Sequence, residues 1–377
     1  MLNIKTYRIL HFILFWCVLF LSLSCKNDIN SEQDKSVFRF NQHSNINTLD
    51  PAFSRTLQDT WACNQLFNGL VQLDGELNIL PSIAKSWQIS DDGISYSFNL
   101  RKDVYFHKHE LFGKDSTRIV VAKDFEYSFN RLRDEKVAAP GSWVLNKVDH
   151  FKAVNDSIFK ITLKQPFPAF IGLLTMKYCS VVPKEIVEHY GNEFRSKPIG
   201  TGPFKFKRWE ENIKLIFRKN HHYFEKDSLG NSLPYLESVA ITFLPDKQSE
   251  FLQFAQGSID FLNSLDASYK DELLTADGKL REQYASKINM TRGPYLNTEY
   301  LGFYLDSETT EIQSELIRKA INYGFDREKM MIYLRNGIGN PAHGGFIPIG
   351  LPGYNESNGF TYQPEKSKQL IEQFKKE

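Results

Sequence analysis

No serine sits in a G-x-S-x-G elbow anywhere in the chain. A Ser-His-Asp hydrolase therefore has no nucleophile, even though His343-Gly344-Gly345 has the form of an oxyanion turn. No Lys-Ser/Thr pair follows Gly200-Thr201-Gly202, and Phe204, Phe206 and Trp209 behind it read as strand. That excludes a phosphate loop. Metal-ligand spacing is missing too. His107-Lys108-His109-Glu110 and His221-His222 with Glu225 hold suitable residue types, but neither puts three ligands on one face of a regular element. Both read as solvated loop. Basic runs are absent, and 46 Lys and Arg nearly balance 45 Asp and Glu, so nothing argues for nucleic acid. Repeats and low-complexity segments are absent as well. With no catalytic residue, no metal site and no cofactor loop, the pattern points away from an enzyme.

What the chain does have begins at its first residues. Lys5 and Arg8 precede an apolar run from Ile9 to Leu23, and Ser24 stands directly before Cys25. The run is too short for a membrane span and ends in a small residue, which is the order of a secretory signal peptide. The Ser24-Cys25 junction implies a lipid on the Cys25 thiol, although Ser22 stands where such junctions usually have Leu. An uncleaved N-terminal anchor is the alternative, and either way the body is exported. Residues 1–24 then form the leader and 25–36 a polar tether. Losing Lys5 and Arg8 takes the basic count from 46 to 44 against 45 acidic residues, so the mature charge is −1. Cys17 leaves with the leader, so Cys63 and Cys179 remain in an oxidising compartment. A disulfide and two separately buried thiols both stay open.

The body alternates strands and helices. Tyr96, Phe98 and Leu100 alternate with Ser95, Ser97 and Asn99, and Phe159, Ile161 and Leu163 alternate with Lys160, Thr162 and Lys164. Each is a strand with one buried face. Val239, Ile241 and Phe243 repeat the pattern. Ala122, Phe125, Phe129 and Leu132 share one face of a helix that ends near Arg133. Ile312, Leu316, Ala320 and Tyr323 predict a helix stopped by Gly324. Asp326 predicts an N-cap for a further helix through Leu334, halted at Asn336-Gly337. Asp50-Pro51 is a turn signal, because Pro51 fixes its own φ and drives Asp50 out of the helical region. The fold class is mixed α/β with several lobes, since the mature chain is too large for one small domain. Thirty Phe and 17 Tyr suffice for sizeable cores and an aromatic-lined site.

Several segments carry a resemblance. They are Leu49-Asp50-Pro51-Ala52, Leu66-Phe67-Asn68-Gly69-Leu70, Pro81 to Trp87, Asp91 to Arg101, Pro198 to Phe204, Leu301 to Tyr304, Ala320 to Arg327, and Gly337 to Pro352. In this order, from about Val37 to Glu377, they resemble the family 5 extracellular solute-binding proteins, the peptide, dipeptide and nickel receptors of ABC importers. The resemblance implies a three-lobed "Venus flytrap". Lobe I would be 37–75 with 195–265, lobe II 76–194, and 266–377 the start of lobe III. It implies a monomer that captures a peptide or other small solute and passes it to an ABC permease of the inner membrane. The protein would be lipid-anchored on the periplasmic face of the envelope. A receptor for nickel, haem or another solute, and a non-binding structural lipoprotein, are the alternatives.

In the resembled peptide receptors, the segment after Leu-Asp-Pro offers a strand edge to the ligand's backbone. Here that segment is Ser54, Arg55, Thr56 and Leu57, with Arg55 and Leu57 at the matching positions. Main-chain pairing is the same for every peptide and would tolerate varied side chains. Arg55 also has the geometry to grip a carboxylate with two bonds, or it is an ordinary surface arginine. Trp143 matches loosely an aromatic cleft position of lobe II, with core packing as its alternative. The resemblance also implies a third lobe that continues past the helix begun at Pro364, with a Gly-Trp and an Asp-Tyr-Pro-type segment. That portion is not in these 377 residues. The chain as written is therefore expected to bind poorly and fold marginally.

Overall fold

The alternating segments Ser95–Leu100 and Ile158–Leu163 set the first core. The computed structural model describes residues 36–275, 278–306 and 308–377. The leader, Cys25 and the tether up to residue 35 lie outside the described residues. The chain divides into two units, the first ending at Asn263 and the second running Ser264–Glu377.

The first unit holds two four-stranded sheets and a small hairpin. Strands β4 (Ala84–Ile89), β5 (Ser95–Leu100), β6 (Val148–Asn155) and β7 (Ile158–Leu163) form an antiparallel sheet in the order β4-β5-β7-β6. In its register Tyr96 faces Ile161 and Phe98 faces Phe159. Helix α2 (Ala122–Arg133) lies against β6 and β7 and buries the predicted Phe125, Phe129 and Leu132. The Phe125 and Phe129 rings stand 5.8 and 5.4 Å from the Phe159 ring. Each such aromatic contributes about 1.5–3 kcal/mol by leaving water. The Asp124 carboxylate accepts the Val121 N–H at 2.9 Å and so covers one free donor at the helix start. Arg131 and Arg133 lie in the last turn, where the helix dipole favours cations. Strands β2 (Val71–Leu73) and β3 (Ile79–Pro81) form the hairpin beside this sheet.

The other sheet runs β1 (Val37–Asn41), β10 (Ser238–Thr242), β9 (Lys214–Lys219), β8 (Phe204–Glu210), with only the β1–β10 pair parallel. Its core joins Leu215, Phe217 and Ile241 to Leu49, to Phe194, and to Ala62, Cys63 and Leu66 of helix α1 (Leu57–Leu66). Phe194 closes helix α3 (Lys184–Tyr190) onto this core. Helix α4 (Lys247–Ala255) follows β10, capped by Asp246, which accepts the Ser249 N–H at 2.8 Å. Within this helix Glu250 is buried and is bonded by the Asn41 side-chain amide at 3.2 Å.

The second unit is built among its described residues from helices, turns and one isolated β-bridge, Leu274–Leu280. Helix α5 (Glu315–Gly324) packs against α7 (Pro364–Phe374), where the Ser367 hydroxyl donates to Ala320 O at 2.7 Å. The predicted helix from Ile312 through Gly324 is broken. Ile312 belongs to a separate short turn, Thr310–Gln313, and Ser314 takes an extended ψ of 125° before α5 starts. Ser competes with the helix backbone and favours caps. The Arg318 guanidinium satisfies the stranded carbonyls of Ile312 and Gln313 at 2.8 and 2.7 Å. Asp326 does cap α6 (Arg327–Tyr333), accepting the Lys329 N–H at 2.9 Å. Asn336 and Gly337 end that stretch in left-handed conformation, φ 47° and 69°.

Candidate ligand-binding site

The site is built outward from Asp50-Pro51. Pro51 opens a 3-10 turn, Pro51–Phe53, and Asp50 caps it by accepting the Ala52 N–H at 3.1 Å. Arg131 of α2 grips the same carboxylate with two bonds, one at 3.0 Å, and lies over the Phe53 and Phe194 rings. Both partners are nearly buried, at 12% and 5% side-chain exposure. A pair so enclosed holds the turn in one place.

The next residues are pinned at both ends. The Ser54 hydroxyl lies 2.9 Å from that of Thr60. Thr56 and Asp59 form a capping box at the start of α1: the Thr56 hydroxyl accepts the Asp59 N–H at 3.1 Å, and Asp59 accepts the Thr56 N–H at 3.3 Å. Between the pins, Arg55 is exposed, and among the described residues nothing is bonded to its main chain or guanidinium. Leu57 is 46% exposed. The segment belongs to no sheet, and Thr56 is extended at φ −93°, ψ 160°.

Two more 3-10 turns close on the first: Pro140–Leu145 and Lys177–Cys179 both pack against Pro51–Phe53. Trp143 rides on the former and is 46% exposed, which overturns core packing for it. Lys177 sits on the latter, half-buried. Sequence reasoning missed it, yet a signal was there: it is the lone charge between Ala169 and Pro183. A groove of about 930 Å³ opens in this unit, and Phe53, Arg55, Tyr127, Arg131, Lys136 and Arg195 stand on its wall. Arg55 is thus the one residue of Ser54–Leu57 that lines it; Trp143 does not.

Burial dominates the electrostatics. It pushes the Cys63 thiol far up, with Asp50 and Asp59 adding to the effect. It pushes Cys179 up to about 12 and lowers Lys177 to about 8. Both cysteines are free and buried, so the open choice resolves to two separate thiols.

The stretch His107–Glu110 is not simply solvated loop. His107 is buried because its N–H donates to Gly200 O at 2.7 Å and its Nε2 donates to Gly202 O at 3.1 Å. Burial holds its pKa down to about 4, so the ring is neutral. His109 Nε2 meets the Tyr190 hydroxyl at 2.9 Å. His221 and His222 are exposed, and Glu225 accepts from the Gln72 amide at 2.8 Å. His343 pairs with Glu328 at 2.9 Å. Among the described residues no group of three His, Cys, Asp or Glu could hold a metal ion.

Residues 78–377 match the family model of bacterial extracellular solute-binding proteins, family 5 Middle. The chain belongs to this family. Among curated relatives, it is 26% identical to Heme-binding protein A of Haemophilus influenzae over 81% of this chain and 56% of that protein. It is 24% identical to Glutathione-binding protein GsiB of Salmonella choleraesuis over 88% of this chain and 60% of that protein. This family 5 chain thus spans less than two thirds of the length of those relatives. Among solved structures, the periplasmic binding protein DppA of Helicobacter pylori in complex with the peptide STSA superposes with a TM-score of 0.77 at 25% identity. The match covers 91% of this chain and 68% of that one. The mixed α+β architecture is that of the periplasmic binding proteins. Among the described residues no helix is long and apolar enough to cross a membrane.

Proposed function

We propose that this protein is the substrate-binding component of an ABC importer and captures short peptides, acting by binding alone with no reaction. The observation that carries the reading is Arg55, which lines the groove: among the described residues its main chain and its guanidinium have no partner, on a segment locked at both ends. A peptide backbone would pair with the Ser54–Leu57 main chain, while the side chains stay unread. The likeness to a peptide-bound DppA supports peptide over other solutes. The lobes assigned above, a monomeric state and delivery to an inner-membrane permease belong to the same reading. Selectivity would follow the contacts made only in the closed state.

Titrating the purified protein and its Arg55→Ala variant with a peptide library by calorimetry tests this. Losing a charge-assisted contact costs roughly 1.5–3 kcal/mol, about tenfold or more in affinity. Unchanged affinity returns Arg55 to an ordinary surface charge. No peptide binding by the wild type, with haem, nickel or glutathione bound instead, replaces the substrate class.

The anchor belongs to this proposal as well. Lys5, Arg8, the apolar run and Ser24-Cys25 support lipidation of Cys25. The Cys25→Ser protein is expected to stay unprocessed, or to be released as a soluble form that leaves the detergent phase in phase partition. Processing and partition like the wild type would defeat the anchor.

A further inference from the structure

We propose that Lys177 is the cation that receives an acidic side chain of the ligand, so that this protein favours ligands bearing a carboxylate beyond the terminal one. The inference rests on reading this face as the ligand site. Lys177 opens the turn Lys177–Cys179, which packs against Pro51–Phe53 and against the turn that carries Trp143. Its neighbour Tyr178 is wedged against Gly141, where a Cβ would stand 2.2 Å from the ring. The turn backbone is therefore held close, and Lys177 with it.

The turn also packs against α1, whose N-cap Thr56 belongs to the Ser54–Leu57 segment. The turn that carries Lys177 is thus a neighbour of the helix that this segment opens. The nearby acids are already engaged. Asp50 is taken by Arg131, and Asp59 by the Thr56 and Asn47 N–H groups. Among the described residues no carboxylate or carbonyl is bonded to the Lys177 ammonium, yet the residue remains partly accessible. Burial has lowered its pKa to about 8, and among the described residues no carboxylate counter-charge is bonded to it. An incoming carboxylate supplies that counter-charge, and a carboxamide of the same shape does not. Selectivity between such a pair is the expected consequence.

The test uses purified full-length protein and two matched sets of probes: tripeptides with Glu or Gln at each position in turn, and glutarate against its monoamide. The wild type is expected to bind the Glu form about tenfold more tightly than the Gln form at one position. In Lys177→Met that ratio should fall to one with affinity for the Gln form kept, and the thermal midpoint should hold or rise. Lys177→Arg should keep part of the preference. Equal binding of Glu and Gln forms by the wild type overturns the inference and leaves the peptide reading intact. Equal loss of both forms in Lys177→Met also overturns it, because a structural role alone does that. If no peptide binds, but glutarate outcompetes its monoamide only while Lys177 is present, the peptide reading falls and this one stands. Binding of none of the probes overturns both.

Discussion

Replacing Arg131 by methionine is expected to destabilise the protein by about 3–5 kcal/mol, as removing one partner of a buried ion pair does. The cause is Asp50, whose carboxylate is 5% exposed and would be left charged without its guanidinium. Among the described residues the Ala52 N–H at 3.1 Å is what remains to it, and one neutral donor does not offset the lost hydration of a carboxylate. Methionine keeps most of the apolar stem that lies over Phe53 and Phe194, so the loss reports charge rather than volume. Denaturant midpoints with an unchanged slope would give the number. The double variant Asp50→Asn, Arg131→Met should recover a large part of it, because the orphaned charge is gone. A loss below about 1 kcal/mol would place the pair among exposed ion pairs and defeat the claim that it locks the Pro51–Phe53 turn. Arg55 should also loosen in the single variant, since the turn that leads into it loses its anchor 81 residues away in sequence.

That distance explains what the sequence could and could not disclose. Helix α2 was legible to its last residue because Phe125, Phe129 and Leu132 bury along one face, a local pattern. Strands β5 and β7 were legible for the same reason, since every second residue meets the core. The helix expected from Ile312 failed at Ser314, a local choice that periodicity does not register: two apolar patterns in phase look continuous across a broken turn. His107 was misread because its burial is made by the Gly200 and Gly202 carbonyls, which the fold brings in from nearly a hundred residues further on. The surroundings of Arg55 were hidden in the same way. Thr56-x-x-Asp59 is visible as a cap, but Arg131 reaches the turn from α2, and Lys177 comes near only through the packing of three short turns. Trp143 shows the limit of composition: a large aromatic near a Pro-Gly turn reads equally well as core, and its exposure is decided by which turns flank it.

A single methyl group on Gly200 is expected to cost about 3 kcal/mol, the upper range for overfilling a packed interior. The reason is space and not backbone freedom. A Cβ there would stand 2.0 Å from Leu66 O and 2.6 Å from Phe67 Cδ1. Leu66 is the last residue of α1, and its carbonyl is satisfied by the Gly202 N–H at 2.8 Å, so it cannot move without exposing a helix end. Around the same three residues, His107 Nε2 and the Asn220 amide both donate to Gly202 O, and the buried Thr201 hydroxyl donates to Asn68. Gly200 therefore marks the point where the α1 end and the His107 loop meet the backbone that leads into strand β8. Gly172→Ala is the contrast. It lies inside a helical turn, Phe170–Leu173, with nothing within 4 Å of a new Cβ, and should be stabilising by about 0.5–1 kcal/mol. Opposite shifts in thermal midpoint for the two variants are the expected result. Equal small shifts would mean that α1 can slide away from the Gly200–Gly202 turn. The pinned Ser54–Leu57 segment, which α1 carries at its other end, would then lose the rigidity on which the binding site depends.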